Sequence, residues 1–257
     1  MNWSHFIYFA VATVLLWSGA IVATNLKIKS LYGEILSLFG VALLALFIIL
    51  FWIEKGEPPL RTMGETRLWY SLFIGVVGYV TYRRWSYKWI LSYTLLVAQV
   101  FIFVNLLKPE IHTTNLMPAL QSLWFVPHVT VYILSYALLG AATIASLLAI
   151  AKFEKRGREL LPMIDNLVYV GSALLLMGMF MGALWAKEAW GDFWSWDPKE
   201  VWAFITAAFY LLYIHLRRIK FSVRLALWLL PFSFILLMIT WIGINWLPAA
   251  AGSVHIY

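Results

Sequence analysis

Residues 34–53 read EILSLFGVALLALFIILFWI, a run in which one carboxylate and one hydroxyl interrupt otherwise apolar side chains. About 20 helical residues of this kind cross the hydrocarbon core of a bilayer. Similar apolar stretches lie at 5–24, 68–82, 89–107, 128–151, 166–186, 199–217 and 225–247. The sequence therefore predicts an all-α, polytopic membrane protein with about eight transmembrane helices.

The composition supports the same fold class. Of 257 residues, 63% are hydrophobic and only 12% are charged, against roughly 25% charged in a soluble domain. This excludes a soluble globule and a disordered chain, and we interpret residues 1–257 as a single integral membrane domain. The chain contains no cysteine, which excludes disulfides, iron–sulfur clusters, a thiol nucleophile and a C-x-x-C-H haem attachment site of its own.

The net charge of +7 has an uneven distribution along the chain. Alternate loops are rich in Lys and Arg, with thirteen such residues against six in the intervening loops. The rich set comprises Lys27, Lys29, Arg83, Arg84, Lys88, Lys152, Lys155, Arg156, Arg158, Arg217, Arg218, Lys220 and Arg224. The positive-inside rule places this set in the cytoplasm and both termini outside the cell membrane. It explains the basic excess without nucleic acid, and we interpret the first apolar stretch as a retained span rather than a cleaved signal peptide.

One predicted outer loop, about 187–202, is unusually rich in tryptophan. Residues 190–202 read WGDFWSWDPKEVW, and five of the chain's 15 tryptophans fall within 185–202. Tryptophan favours membrane interfaces, but an interfacial belt does not need five on one loop. We therefore interpret the cluster as a flat aromatic platform for a large planar ligand. The residues that we assign to ligand binding here are Trp190, Trp194, Trp196, Asp197 and Trp202.

The end of this loop also has the pattern of a helix start. Asp197 can cap the next helix, Pro198 suits its first position, and Glu200 has the capping-box spacing. Capping by Asp197 and direct contact of Asp197 with a ligand are both open and are compatible, because a capped helix also fixes the geometry of the platform.

Three of the five histidines are candidate haem ligands. His128 follows Pro127 at the predicted outer start of the fifth span, and His255 lies in the predicted outer tail. Their shared side of the membrane suggests axial ligation of one haem iron. His215 lies 15 residues past Glu200, about 22 Å along the helix, and would belong to a separate inner site unless it only points to the cytoplasm. We interpret His5 and His112 as packed or solvated residues.

These motifs together resemble those of the CcsA (ResC) family of system II cytochrome c biogenesis. The resemblance covers the tryptophan-rich loop with the following Ala203–Thr206, His215, the segment LQSLWFVPH at 120–128, and the Gly-x-x-His-x-Tyr ending at 252–257. It extends over the C-terminal half, whereas the first four spans match only in topology. The Trp-Asp-Pro-Lys-Glu sequence is its most specific part.

The resemblance implies a haem-handling subunit of a cytochrome c synthase, or haem lyase, complex. Such proteins present haem b at the outer face of the cytoplasmic (inner) membrane for thioether attachment to the C-x-x-C-H motif of apocytochrome c. It implies that His128 and His255 ligate the iron of an outer haem, and that His215 ligates iron at an embedded site. A CcsB (ResB) partner would complete that embedded site with a second histidine.

Other functions remain open from the sequence. A haem exporter or haem chaperone would handle haem without ligating it to a protein. A haem-b electron carrier usually needs paired histidines on facing spans, and only His215 lies well within one. The Asp197–Glu200 segment and the span count favour the CcsA type over a chaperone of the CcmC or CcmF type.

Overall fold

The computed structural model of the chain describes residues 2–26, 30–112, 122–153 and 157–248. Within these ranges the chain forms eight α-helices, with short 3₁₀ turns beside them and no strands. The chain divides into two compact units, residues 1–116 and 117–257. The all-α fold class is confirmed, while the assignment of 1–257 as a single domain stays a prediction.

Unit 1 contains the first four helices. They are α1 Phe6–Asn25, α2 Ser30–Lys55, α3 Met63–Trp85 and α4 Lys88–Leu107. Helix α1 packs against α2 and α4, and α3 packs against α4 and α2. Two hydrogen bonds join α1 to α4, from Ser18 to Gln99 at 3.1 Å and from Asn25 to Ser92 at 2.7 Å. Polar side chains on apolar helices thus find partners on the neighbouring helix, as burial in a membrane protein requires.

Unit 2 contains the remaining helices of the described chain. They are α5 Phe125–Ala151, α6 Leu161–Trp190, α7 Pro198–Arg218 and α8 Val223–Trp241. Helix α5 packs most extensively against α6 and also against α8, and α7 packs against α8 and α6. The α5–α6 pair forms the most extensive helix contact of this unit, and it carries the candidate site described below.

Each predicted apolar stretch coincides with one helix, although some ends differ. Helix α3 extends from Met63 to Trp85 rather than over 68–82, and α8 ends at Trp241, before a 3₁₀ turn at Gly243–Trp246. Six helical segments are long and apolar enough to cross a membrane; only α3 and α7 do not meet that criterion. Charged residues lie in the first two turns of α3, at Glu65 and Arg67, and in the first turn of α7, at Lys199 and Glu200. The protein is therefore a multi-pass membrane protein.

Helix α3 begins at a complete capping box. The Thr62 side chain accepts a hydrogen bond from Glu65 N, and Glu65 accepts one from Thr62 N. The Glu65 carboxylate also accepts from Arg61 N at 2.7 Å and pairs with Lys55. Because its oxygens meet these groups, Glu65 can lie almost fully buried, with 2% of its surface exposed.

Candidate functional site

The loop that contains the tryptophans is shorter than the sequence predicts, because helices extend into both of its ends. Helix α6 continues to Trp190 and ends where Gly191 adopts a left-handed conformation, with φ of 94°. Helix α7 begins at Pro198. The loop proper is therefore 191–197, while Trp190 occupies the last turn of α6 and Trp202 the start of α7.

The predicted capping box at the start of α7 is confirmed. An Asp197 carboxylate oxygen accepts from Lys199 N at 2.9 Å, and Glu200 Oε2 accepts from Asp197 N at 3.1 Å. Glu200 Oε2 also accepts from Ser195 N at 2.8 Å. Between these two donors Trp196 has a φ of 59°, a left-handed conformation that bulky residues rarely adopt. The Glu200 carboxylate thus holds the strained end of the loop on both sides of Trp196.

Two of the four assigned tryptophan rings are not coplanar, as a flat platform would require. Trp194 and Trp196 meet edge to face, with their centroids 6.0 Å apart and their planes at 87°. Trp196 is exposed, whereas Trp190, Trp194 and Trp202 are half-buried. Edge-to-face contact is a favoured arrangement for aromatic pairs, so these two rings present a face and an edge, and only one of them at a time can stack on a planar ligand.

His128 lies in the first turns of α5, and a backbone carbonyl fixes its protonation pattern. Its Nδ1 lies 2.8 Å from the carbonyl oxygen of Gly178 on α6. A carbonyl oxygen can only accept, so Nδ1 carries the proton and donates. In the neutral ring the lone pair is then on Nε2, the nitrogen that can ligate iron. Histidine ligands of metals are commonly oriented by a hydrogen bond of this kind.

Two glycines of α6 make room for the His128 side chain and its neighbour Tyr132. A Cβ at Gly182 would lie 2.7 Å from His128 Cε1, and a Cβ at Gly178 would lie 2.6 Å from Tyr132 Cδ1. Both distances are below van der Waals contact, so any larger residue would force a ring or a helix to move. The Gly178/Gly182 spacing is the G-x-x-x-G pattern that allows close approach of membrane helices.

Aromatic contacts connect His128 to the tryptophan-rich loop. The His128 ring meets Tyr132 edge to face at 4.6 Å and lies 5.5 Å from Trp185, between centroids. Trp185 is almost fully buried and contacts Trp190 at 4.8 Å and Phe125 at 5.4 Å. The candidate ligand and Trp190 therefore belong to one packed series of rings. Trp185 is not among the residues assigned to ligand binding from the sequence, although its position inside the tryptophan cluster was a signal.

His215 lies in a different setting, near the end of α7. The helix is fixed to α6 by Asp165, which accepts hydrogen bonds from Tyr213 Oη at 2.6 Å and from Arg217 Nε and Nη2 at 2.9 and 2.7 Å. Residues 213 and 217 share a helix face, and residue 215 is about 200° away around the axis. His215 thus faces away from α6, and its side chain is exposed.

The structure separates the two histidine positions within unit 2. His128 is at the start of α5, which contacts the later part of α6. Helix α7 starts after α6 ends, and His215 lies 17 residues beyond Pro198, or about 26 Å along the axis. The two histidines are therefore at opposite ends of the unit. The third candidate, His255, lies outside the described residues.

The two histidines without an assigned ligand role have local packing partners in unit 1. His112 stacks on Trp3 with ring centroids 3.7 Å apart and planes at 1°, and burial lowers the pKa of His112 below its usual range. His5 hydrogen bonds to Asn2 at the start of the chain. Among the residues that the structure describes, no group of three or more His, Asp or Glu side chains could hold a bare metal ion.

Comparison with known proteins shows what this arrangement is similar to. Residues 2–250 match the family described as cytochrome C assembly protein. CcsA of Mesostigma viride is 30% identical over 284 residues, which covers 91% of this chain and 89% of that protein. CcsA of Chlorella vulgaris is 31% identical over 255 residues, or 80% of this chain and 81% of that protein. The protein NrfI of Wolinella succinogenes is 33% identical over 219 residues, 77% of this chain but only 23% of NrfI.

Proposed function

This chain belongs to the CcsA family of cytochrome c assembly proteins, and from that premise we propose that it presents haem for covalent attachment to apocytochrome c. Its role in cytochrome c biogenesis and its multi-pass membrane character follow from the family and from the apolar helices. The proposal adds the way in which haem is held, the type of haem, the partner subunit and the side of the membrane.

The observation that carries the proposal is the environment of His128. A ligand to haem iron must be a neutral imidazole with a fixed ring orientation. The Gly178 carbonyl fixes the tautomer, and the rings of Tyr132 and Trp185 fix the orientation. The donor set therefore suits haem iron, and His255 is the second axial ligand in this proposal, as the family resemblance implies.

The chain contributes positioning rather than bond-forming groups. Haem b supplies the vinyl groups, and the thiols come from the C-x-x-C-H motif of the apocytochrome, since this chain has no cysteine. His128 holds the iron, Trp190 and Trp194 cover part of the macrocycle, and the capped start of α7 fixes the loop. Holding two reactants in the reactive geometry removes a large entropic part of a barrier. The name haem lyase then belongs to the complex rather than to this subunit.

The exposed face of α7 supports a partner subunit. His215 points away from α6, because Tyr213 and Arg217 are held by Asp165 on the opposite face. An ionisable residue within the membrane is a functional candidate by default, and the sequence places His215 in the seventh apolar stretch. In the proposal a CcsB (ResB) subunit packs on this face and supplies the second histidine to an embedded haem.

The proposal places the loop 191–197 outside the cytoplasmic membrane. The distribution of basic residues supports this orientation, with thirteen Lys and Arg in one set of alternating loops. A reporter fused at Tyr257 that is active only after export should be active. Activity of a strictly cytoplasmic reporter at the same position would reverse the orientation and separate His255 from an outer haem.

The test is purification of the chain with and without a CcsB-type partner, followed by absorption spectra and a pyridine haemochrome assay. The wild-type complex should contain non-covalent haem b and should attach it to a C-x-x-C-H peptide. A His128→Gly variant should lose haem, whereas His5→Gln, at an exposed histidine that caps its own turn, should retain it.

The outcomes distinguish the alternatives. A complex that binds haem through His128 but forms no thioether with any C-x-x-C-H acceptor is an exporter or a chaperone. Equal haem content in the wild type, His128→Gly and His5→Gln would show that the His128 environment serves only packing.

A further inference from the structure

Arg67 on α3 is a buried cation without a counterion. Only 9% of its surface is exposed, and its Nη1 is buried without a hydrogen-bond acceptor on any described residue. The ion pairs of the described chain involve other residues. Burying a charge without a partner costs several kcal/mol, so such a guanidinium calls for an anion, which none of the described residues supplies.

The nearest carboxylate on the same helix cannot supply that anion. Glu65 is two residues away, but its oxygens accept from Arg61 N and Thr62 N and pair with Lys55. Residues two positions apart in a helix also point about 200° apart around the axis. The positive end of α3 is close by, and its dipole adds to the positive potential around the second turn. The Glu65 carboxylate is therefore engaged by other groups, and no described residue forms an ion pair with Arg67.

Arg67 is not a lipid-facing residue that extends its side chain toward water. It shares one face of α3 with Tyr70, Ile74 and Val77, which follow it at helical spacing. These three residues have 1%, 0% and 6% of their surface exposed. The face is thus internal along more than two turns, and a ligand for Arg67 has to enter the protein.

The same end of unit 1 has two further buried polar atoms without partners. Asn105 Oδ1 on α4 and His112 Nε2 lack hydrogen bonds among the described residues. Both side chains lie beside Gly64, one turn before Arg67, where a Cβ would be 2.6 Å from His112 Cδ2 and 3.3 Å from Asn105 Oδ1. Buried polar atoms of native proteins nearly always have a partner. Three such atoms near one helix start indicate a polar ligand, with ordered water beside it.

We propose that Arg67 binds an oxyanion of a ligand that enters unit 1, through a charge-assisted pair with its guanidinium. The planar fork of arginine suits carboxylate and phosphate oxygens in a bidentate arrangement. A membrane protein that handles haem encounters two abundant sources of this chemistry, the propionates of haem and the phosphates of anionic phospholipids. The propionate source rests on the function proposed above, whereas the phosphate source does not.

The test compares Arg67→Met and Arg67→Lys with Arg83→Met in the full chain, purified with its partner in detergent. Arg83 lies on the same helix but is exposed and paired with Glu34 at 2.9 Å, so it is the matched control. Each protein is titrated with haem and with haem dimethyl ester, in which both propionates are esterified. Native mass spectrometry measures the anionic phospholipid that copurifies.

If the oxyanion is a propionate, the wild type should prefer haem over its dimethyl ester by about tenfold or more, the scale of a hydrogen bond to a charged group. Arg67→Met should abolish the preference, Arg67→Lys should weaken it, and Arg83→Met should keep it. If the oxyanion is a phosphate, Arg67→Met should instead lose the copurifying phospholipid, with the haem preference unchanged. Either result supports an oxyanion site at Arg67.

Unchanged haem preference together with unchanged phospholipid in Arg67→Met would overturn the proposal. A wild type that binds neither haem nor its ester would defeat the proposed function, and the phospholipid measurement would then decide the role of Arg67 alone. Thermal unfolding gives an independent readout, because removing an unpaired buried charge should raise the stability of the ligand-free protein. A large loss of stability in both Arg67 variants would show that Arg67 has a structural partner, and would also overturn the proposal.

Discussion

The start of α5 and the end of α7 hold their histidines in opposite ways. At the start of α5, His128 has a hydrogen bond from Nδ1 to Gly178, aromatic contacts with Tyr132 and Trp185, and a glycine opposite its ring. At the end of α7, His215 is exposed, and the polar contacts of its helix are made by residues on the other face.

This difference teaches what each position needs in order to bind haem. A ring whose tautomer and orientation are already fixed loses little entropy when it ligates iron. An exposed ring on a rigid helix leaves its surroundings to be provided by another molecule. We therefore expect the His128 position to bind haem within this chain, and the His215 position to do so only in a complex.

The largest expected effect comes from replacing His128 and His215 by glycine, one at a time. In the chain purified alone, His128→Gly should remove most of the bound haem. When a metal ligand loses only its hydrogen-bond partner, metal affinity falls roughly 10- to 100-fold. Loss of the ligand itself should lower haem affinity by more than that. His215→Gly should leave the haem content of the isolated chain unchanged and should lower it only in the complex. Haem per protein from pyridine haemochrome spectra is the measurement.

External imidazole is the control for these variants, because it can occupy the space left by His128→Gly and replace the missing ligand. Restored absorption in that variant would show that the site itself had survived. The comparison fails if His215→Gly depletes haem from the isolated chain as fully as His128→Gly does.

A smaller change tests whether the glycines of α6 shape the His128 position. In Gly182→Ala the new Cβ would lie 2.7 Å from His128 Cε1, so the ring or the helix has to move. We expect a cost of about 1–3 kcal/mol in stability and weaker haem binding. Gly243→Ala is the matched control, since its Cβ would be 3.6 Å from Ile239, an ordinary contact. Equal haem affinity in both variants would contradict the close packing around His128.

The sequence predicted the helices well and the site only in part. Apolar runs of membrane-spanning length identify helices by themselves, and the Asp197-Pro198-Lys199-Glu200 order identifies a helix start, because both signals are local. The contact of His128 with Gly178 joins residues 50 positions apart. The tilt between Trp194 and Trp196 depends on the left-handed conformation of Trp196. A glycine in the sequence often indicates such a conformation, but this position is a tryptophan. Such features can be identified only from the folded structure.

The third prediction concerns the rigidity of α7. Asp165→Ala removes the acceptor of three hydrogen bonds from Tyr213 and Arg217, and Asp165 and Arg217 are 18% and 17% exposed in their ion pair. We expect a loss of about 1–3 kcal/mol in unfolding free energy. The haem content of the isolated chain should be unchanged. The additional haem that binds only in the presence of the partner subunit should fall, because the orientation of His215 is no longer fixed.

Glu34→Ala is the control for this variant. It breaks the pair with Arg83, whose side chain is 60% exposed, and such surface pairs contribute only about 0–1 kcal/mol. Chemical denaturation in detergent and haem content with and without the partner are the two measurements. If Asp165→Ala lowers haem equally in the isolated chain, then α7 supports the His128 position as well, and the two regions are not independent.

The smallest expected effect separates the two roles that Asp197 could have in the loop between these regions. Asp197 caps α7, and it is 7% exposed. Asp197→Asn keeps a side-chain oxygen that can accept from Lys199 N, so it should be tolerated if capping is the role. Asp197→Ala removes that acceptor and should cost about 1 kcal/mol of local helix stability. Trp194→Ala is the reference for loss of the aromatic surface, and size-exclusion behaviour in detergent verifies the fold. If Asp197→Asn remains folded but loses as much haem as Trp194→Ala, then the Asp197 carboxylate contacts haem or the apocytochrome directly, and its place in the capping box does not explain why an aspartate is needed there.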